Sequence, residues 1–205
     1  MKRFYVVALA AALLCVFASV DAQARNPKKV WQSEEQKIAE DMSRTSMRAW
    51  AQYEDFATMN LEAFAAMEAR ASLAEQTAVL ISRTLERCAE SQQEACENGN
   101  GAGKDLRSML ADAKQRVKSS AKMIIENSRV MSSSRYQKNK KSNIQICYAA
   151  VEISHRDIMM NLKGLKEVED LLDAMEMEVE SPEFQQQLGG AFEEHKEGKL
   201  NAYDL

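Results

Sequence analysis

Between Lys28 and Asn98 the chain contains neither glycine nor proline, and its apolar and small side chains recur at intervals of three and four residues. This spacing places them along one side of an α-helix. We therefore predict one long first helix, which would extend about 90 Å from Trp31 to Glu90 if it were continuous, so we expect a bend or break within it. The predicted seam comprises Ile38, Met42, Thr45, Ala49, Tyr53, Phe56, Asn60, Ala63, Met67, Ala71, Ala74, Ala78, Ile81, Leu85 and Cys88.

Two further helices are predicted after the glycine-rich segment Asn98–Gly103, which indicates a loop. The apolar spacing of the second helix ends before the polar, basic run 132–141, which we interpret as the connection to the third helix. The third extends from about Ser142 to about Glu180. Ser181 and Pro182 then predict the cap and first residue of a short helix that ends at Leu188. The apolar side of the second helix comprises Leu106, Leu110, Ala113, Val117, Ala121, Ile124 and Met131.

An export signal is predicted at the N-terminus. Lys2 and Arg3 precede an uncharged apolar run, and Ala22 and Ala24 supply the small side chains that signal peptidase requires. We predict cleavage after Ala24, with a cut after Ala22 as the alternative. The apolar run is shorter than the roughly 20 residues of a spanning helix, and nothing later in the chain is apolar enough to span a bilayer, so we expect no transmembrane segment in the mature chain.

Composition supports a helical protein, because 7 glycines and 2 prolines in 205 residues are few and strand-forming residues are scarce. The predicted fold is all-α, an elongated antiparallel three-helix bundle or coiled-coil hairpin with a long first helix and a short C-terminal helix. We divide the chain into a cleavable signal peptide (1–24), a helical bundle domain (25–188) and a flexible C-terminal tail (189–205).

Three cysteines remain after cleavage, so at most one intramolecular disulfide can form. On a continuous helix Cys88 and Cys96 would lie about 12 Å apart, too far to pair unless the chain turns between them. The glycines after Cys96 favour such a turn, whereas Cys147 is expected near the opposite end of the bundle. We therefore predict a disulfide between Cys88 and Cys96, with Cys147 free or bonded to a partner.

The candidate chemistry is limited to one arrangement. Glu152 and His155 lie three residues apart on the predicted third helix, and Met159 follows one turn later, so the three could hold a soft metal ion. Di-iron bundles need two such Glu-x-x-His motifs, and this chain has one. No hydrolase, phosphate-loop or dinucleotide-binding motif is present. We therefore predict a protein without enzymatic activity, metal or cofactor, and keep a metal-binding bundle as the alternative.

Possible partner contacts are Trp50, Tyr53 and Phe56, which belong to an aromatic cluster, and Arg135 and Tyr136, which belong to a basic one. The alternative for the aromatic cluster is a small core at that end of the molecule. The alternative for the basic cluster is a solvated loop between two helices. The net charge of -4, or -5 after cleavage, argues against a nucleic-acid partner.

We expect an exported structural or assembly protein of the cell envelope or surface, located in the periplasm, at the surface or in the medium. It would bind other envelope or surface proteins through helix-helix contacts and could self-associate. The predicted layout is similar to that of the minor pilins of type IV secretion and conjugation systems, at the level of layout alone. The alternatives are a periplasmic ligand-binding bundle and a secreted adhesin-type interaction factor.

Overall fold

The computed structural model describes residues 46–56, 60–96, 103–138, 141 and 143–196. The predicted export signal, all but the last residue of the predicted Asn98–Gly103 loop, and residues 197–205 of the predicted tail lie outside these residues. The described elements, in chain order, are β1 (Ser46–Phe56), α1 (Leu61–Cys96), α2 (Gly103–Ile124), β2 (Arg129–Gln137), β3 (Ile144–Ser154), α3 (His155–Leu162), α4 (Lys166–Ala174) and α5 (Pro182–Lys196).

The three strands form one antiparallel sheet in the order β1-β3-β2. The central strand β3 pairs with β1 over its whole length, with Ser46 opposite Ser154 and Phe56 opposite Ile144. The edge strand β2 pairs with the other side of β3 and has a bulge at Met131. The prediction of an all-α bundle or coiled coil is therefore wrong, because the described part of the chain combines helices with a sheet.

The sequence of β3 explains why a helix was predicted there. Its residues are buried on both faces of the sheet, so the strand reads as a nearly continuous apolar run. Periodicity alone does not distinguish such a run from a buried helix. The helix-facing set is Cys147, Ala149, Val151 and Ile153, and the outer set is Ile146, Tyr148, Ala150 and Glu152.

The prediction of a helix is also wrong for the residues of β1. These residues include alanine, methionine, arginine and glutamine, which are good helix formers, although such propensities amount to less than about 1 kcal/mol per residue. Pairing with β3 outweighs that preference, because Met47 lies fully buried beneath the long helix, where its sulfur accepts a hydrogen bond from the Thr77 hydroxyl at 3.7 Å.

Helix α1 is the centre of the fold. It packs on the sheet, on α2 and on α5. From Thr77 to Ala89 every side chain is buried except those of Arg83, Glu86 and Arg87, which are half-buried. Small side chains on this stretch allow neighbouring elements to approach it from several sides. None of the described helices is long and apolar enough to cross a membrane.

The C-terminal helix begins as predicted. The Ser181 hydroxyl accepts a hydrogen bond from the backbone of Phe184 at 3.2 Å, and Pro182 is the first helical residue. The predicted end at Leu188 is wrong, since α5 continues through the glycines to Lys196. A Cβ atom at Gly190 would clash with the guanidinium group of Arg87, so glycine here permits close packing of α5 on α1.

Candidate functional site

A buried carboxylate joins all three strands on the outer face of the sheet, the face opposite α1. One oxygen of Glu152 accepts hydrogen bonds from Ser46 Oγ at 2.9 Å and from Arg48 Nε at 3.0 Å. The other accepts from Arg129 Nε at 3.1 Å and Nη2 at 2.8 Å. We call these four residues the carboxylate clamp. Burial alone would raise the pKa of Glu152, but the hydrogen bonds from Arg129, Arg48 and Ser46 lower it below its usual range.

The clamp is suited to holding strands together rather than to acid-base chemistry. A general acid or base needs a pKa near the working pH and an oxygen within reach of a substrate. Both oxygens of Glu152 are taken by donors from β1 and β2, and its pKa is shifted away from neutrality. An open cleft beside it is lined by Asn127, Ser154 and Asp157.

A row of aromatic rings crosses the same face. Tyr148 on β3 stacks on Tyr136 of β2 with 5.8 Å between ring centroids, and the two hydroxyl groups are 3.2 Å apart. Trp50 of β1 lies 6.0 Å from Tyr148 on the other side. Two of the predicted partner contacts, Trp50 and Tyr136, are therefore brought together by a residue that the sequence analysis missed. The strand-like pattern Ile146-x-Tyr148-x-Ala150 was the available signal.

The other predicted contacts do not join this row. Tyr53 faces the helix side of the sheet and stacks on Phe64 of α1, with centroids 5.1 Å apart. Arg135 lies on the same side and forms an ion pair with Glu62 at 3.6 Å. Phe56, at the end of β1, is 66% exposed. The five residues thus do not form one surface.

The predicted metal-binding set is also separated. Glu152 lies on a strand and is saturated by its donors, whereas His155 begins α3 and packs edge-on against Phe192 at 5.2 Å. Met159 accepts a hydrogen bond from Gln185 at 2.7 Å. His155 and Met159 still lie one turn apart on α3, but Glu152 precedes that helix on β3, so the three residues do not share one helix face. Among the described side chains, no group of three or more histidine, cysteine or acidic residues is arranged to hold a metal ion.

The predicted disulfide is wrong. Helix α1 continues through Cys96, so the turn that pairing requires is missing, and Cys88 is a buried free thiol. Burial raises the pKa of Cys88 to about 11. Cys147 is also a buried free thiol, and its pKa is raised to about 11 by burial first and by the nearby charge of Glu62 second.

The first turns of α1 expose an apolar strip that we call the α1 stripe, formed by Ala63, Phe64, Met67 and Ala71. Met67 is 56% exposed and Phe64 is 37% exposed. Further along the same side of the helix, Ala74, Ala78, Ile81, Leu85 and Cys88 are buried at 4% exposure or less. The predicted seam is thus correct from Ala63 onwards as a line on one helix, but among the described elements only its C-terminal part is covered.

The first turns of α1 are exposed because the described helices that pack on α1 do not extend along its whole length. Helix α2 runs antiparallel to α1, and Lys114 in the middle of α2 is bonded to Glu86 of α1. It ends at Ile124, and the following turn meets α1 at Arg70, whose guanidinium donates to Ser128 Oγ at 3.3 Å. Helix α5 contacts α1 at its far end, where Glu194 pairs with Arg83 at 2.9 Å. Neither helix reaches the α1 stripe.

Comparisons with known proteins give no relative from which a function could be transferred: no family model, no curated protein and no solved structure matches the chain.

Proposed function

We propose that the protein is exported, has no enzymatic activity, and binds another protein of the cell envelope or surface through the α1 stripe. The observation that carries this proposal is the continuity of the stripe with the buried seam of the same helix. A helix side that is apolar over its whole length requires cover over its whole length, and the described helices cover only part of it.

The shape of the stripe favours an amphipathic helix as the partner. Ala63 and Ala71 are small and flank the larger Met67, so that a second helix can approach closely and place its own side chains beside the methionine. Methionine is flexible and adapts to such surfaces. The stripe is short, about 12 Å from Ala63 to Ala71 at 1.5 Å per residue, which is typical of a weak or transient contact rather than an obligate one.

Two further observations support the proposal. The carboxylate clamp, the most elaborate polar arrangement on the sheet, has its oxygens occupied by Ser46, Arg48 and Arg129 and is suited to a structural role. The sequence of residues 1–24 supports export. Export has a test of its own: mass spectrometry of the protein from its native host should find Arg25 as the first residue.

Partner binding is tested by Met67→Glu, which places a charge in the middle of the stripe. Met160→Glu is the matched control, because Met160 is 59% exposed on α3, away from the stripe. Envelope proteins from the native host are captured on each immobilised variant and quantified. We expect a partner that the wild type and Met160→Glu retain equally and that Met67→Glu loses by at least tenfold.

Equal capture by all three proteins would refute the α1 stripe as the binding surface. Since both methionines are exposed, both variants should keep the unfolding free energy of the wild type within about 0.5 kcal/mol. Urea unfolding of each variant therefore separates a loss of binding from a loss of folding.

A further inference from the structure

The charges of the molecule are distributed very unevenly. Residues 103–124, which form α2, contain six basic and two acidic residues, a net charge of +4. Residues 166–183, from the start of α4 to the start of α5, contain eight acidic residues and one basic residue, a net charge of -7. The whole chain has a net charge of only -4. Two surfaces of opposite sign therefore lie on a moderately acidic protein.

The basic surface runs along the solvent side of α2. We call it the basic stripe, and it consists of Arg107, Lys114, Lys118 and Lys122, spaced by seven, four and four residues, which places them along one helix side. Three of them are exposed, and Lys114 is half-buried and bonded to Glu86. A shallow groove runs between the first three of them, Arg107, Lys114 and Lys118, and is lined also by Leu110, Ala111 and Gln115.

Three of the acidic residues are exposed by an alternation that follows α4, and the others lie on the solvent side of α4 and at the start of α5. After α4, Met175, Met177 and Val179 are buried in the core, so the residues between and after them point outwards. We call the exposed set the acidic ridge; it comprises Glu169, Asp170, Asp173, Glu176, Glu178, Glu180 and Glu183.

The ridge is largely without internal counter-charges. Within the described part of the chain, Glu180 is the one ridge residue with an ion pair, to Lys163 at 3.0 Å. A groove with an apolar floor of Leu172, Met177 and Val179 opens between Glu169, Asp173 and Glu178, and Lys163, the partner of Glu180, also lines it. Such a groove fits the aliphatic stem of a lysine or arginine whose charged end meets the carboxylates.

We propose that a second copy of this chain docks on the basic stripe with its acidic ridge. The sign, the exposure and the elongated form of the two surfaces are complementary, and each surface repels its own kind. Helix α4 packs beside α2 in one chain, with Arg116 and Glu167 in contact at 3.4 Å. The two surfaces are therefore neighbours, and a two-fold dimer makes the contact twice. This inference concerns a different face from the α1 stripe and is independent of the proposed function.

The test is sedimentation equilibrium of the full protein at low and high salt. The wild type should have twice the mass of one chain at 50 mM salt and the mass of one chain at 1 M salt, where the screening length falls to about 3 Å. Two charge-reversed variants are compared with it: Arg107→Glu with Lys118→Glu on the stripe, and Glu169→Lys with Asp173→Lys on the ridge. Each should weaken self-association at 50 mM salt by at least tenfold.

Mixing the two variants is the decisive measurement, because the reversed stripe of one then faces the reversed ridge of the other. One contact of the mixed dimer then joins a wild-type ridge to a wild-type stripe, and the other brings the four reversed residues together, so an equimolar mixture should recover the mass of a dimer. Glu68→Lys with Glu75→Lys, on exposed positions of α1, makes the same charge change as the ridge variant and should leave the dimer intact, as should Met67→Glu.

A wild type that has the mass of one chain at 50 mM salt would overturn the proposal, and so would a mixture in which both variants stay monomeric. Circular dichroism of each variant, which should match the wild type, shows that a loss of dimer is not a loss of fold.

Discussion

Removal of the carboxylate clamp should destabilise the protein strongly. In Glu152→Ala the buried hydroxyl of Ser46 loses its acceptor, and Arg48, whose side chain is only 14% exposed, loses its carboxylate. Breaking a buried ion pair costs about 3 to 5 kcal/mol. The third donor, Arg129, has a side chain that is 79% exposed, so its contribution is under about 1 kcal/mol. We expect a loss of about 3 kcal/mol, which corresponds to a fall in Tm of about 6 to 12 °C for a chain of this size.

Urea unfolding followed by circular dichroism measures this loss, and two variants provide the scale. Glu152→Gln keeps the shape and one acceptor oxygen but removes the charge, and should cost about 1 to 2 kcal/mol. Glu180→Ala removes an exposed ion pair with Lys163 and should cost less than about 0.5 kcal/mol. A Glu152→Ala variant no less stable than Glu180→Ala would refute the clamp.

The pH dependence gives a second check. The pKa of Glu152 is lowered in the folded state, so its charge stabilises the fold fully above the unfolded pKa of about 4.3. This contribution is lost as the pH falls through the lower folded pKa. The difference in unfolding free energy between the wild type and Glu152→Gln should therefore be constant from pH 6 to 8 and shrink below about pH 4. A difference that does not shrink in acid would show that the lost charge is not its cause.

Two other predictions concern the packing of α5 on α1 and the burial of two thiol groups. Gly190→Ala should cost about 1 kcal/mol, because the new methyl group displaces Arg87, whereas Gly189→Ala, which meets nothing within 4 Å, should stabilise the helix by about 0.5 to 1 kcal/mol. Thermal unfolding of both variants checks this, and equal effects at the two glycines would contradict it. Cys88 and Cys147 are buried with pKa values raised to about 11, so iodoacetamide at pH 8 should modify them only in urea. Peptide mass spectrometry would reveal early modification, which would argue against their burial.

The candidate surfaces were only partly foreseeable from the sequence. The line from Ala63 to Cys88 was predicted as one helix side, but which part of it is exposed depends on where α2 ends and on where α5 packs. The aromatic pair Trp50 and Tyr136 lies together only because β3 places Tyr148 between β1 and β2. The local sequence of β1 and that of β2 do not indicate that Tyr148 lies between Trp50 and Tyr136.

The acidic ridge shows the reverse case, in which a local signal was present but was assigned to the wrong element. Residues 175–180 alternate between apolar and acidic, which the helical interpretation of Ser142–Glu180 did not use. In the structure these residues form the turn that follows α4, with Glu176 at a φ of 55°, and the carboxylates of Glu176, Glu178 and Glu180 are exposed.

The features that depend on near neighbours can be predicted from the local sequence: the amphipathic helix α2, the seam of α1, and the start of α5 at Ser181 and Pro182. Helical hydrogen bonds and caps join residues a few positions apart, so their pattern is local. Residues 46–56, in contrast, form a strand because of a long-range contact, since that strand pairs with residues about a hundred positions away. The clamp at Glu152 depends on the same distant pairing, and weak helical preferences in β1 yield to it.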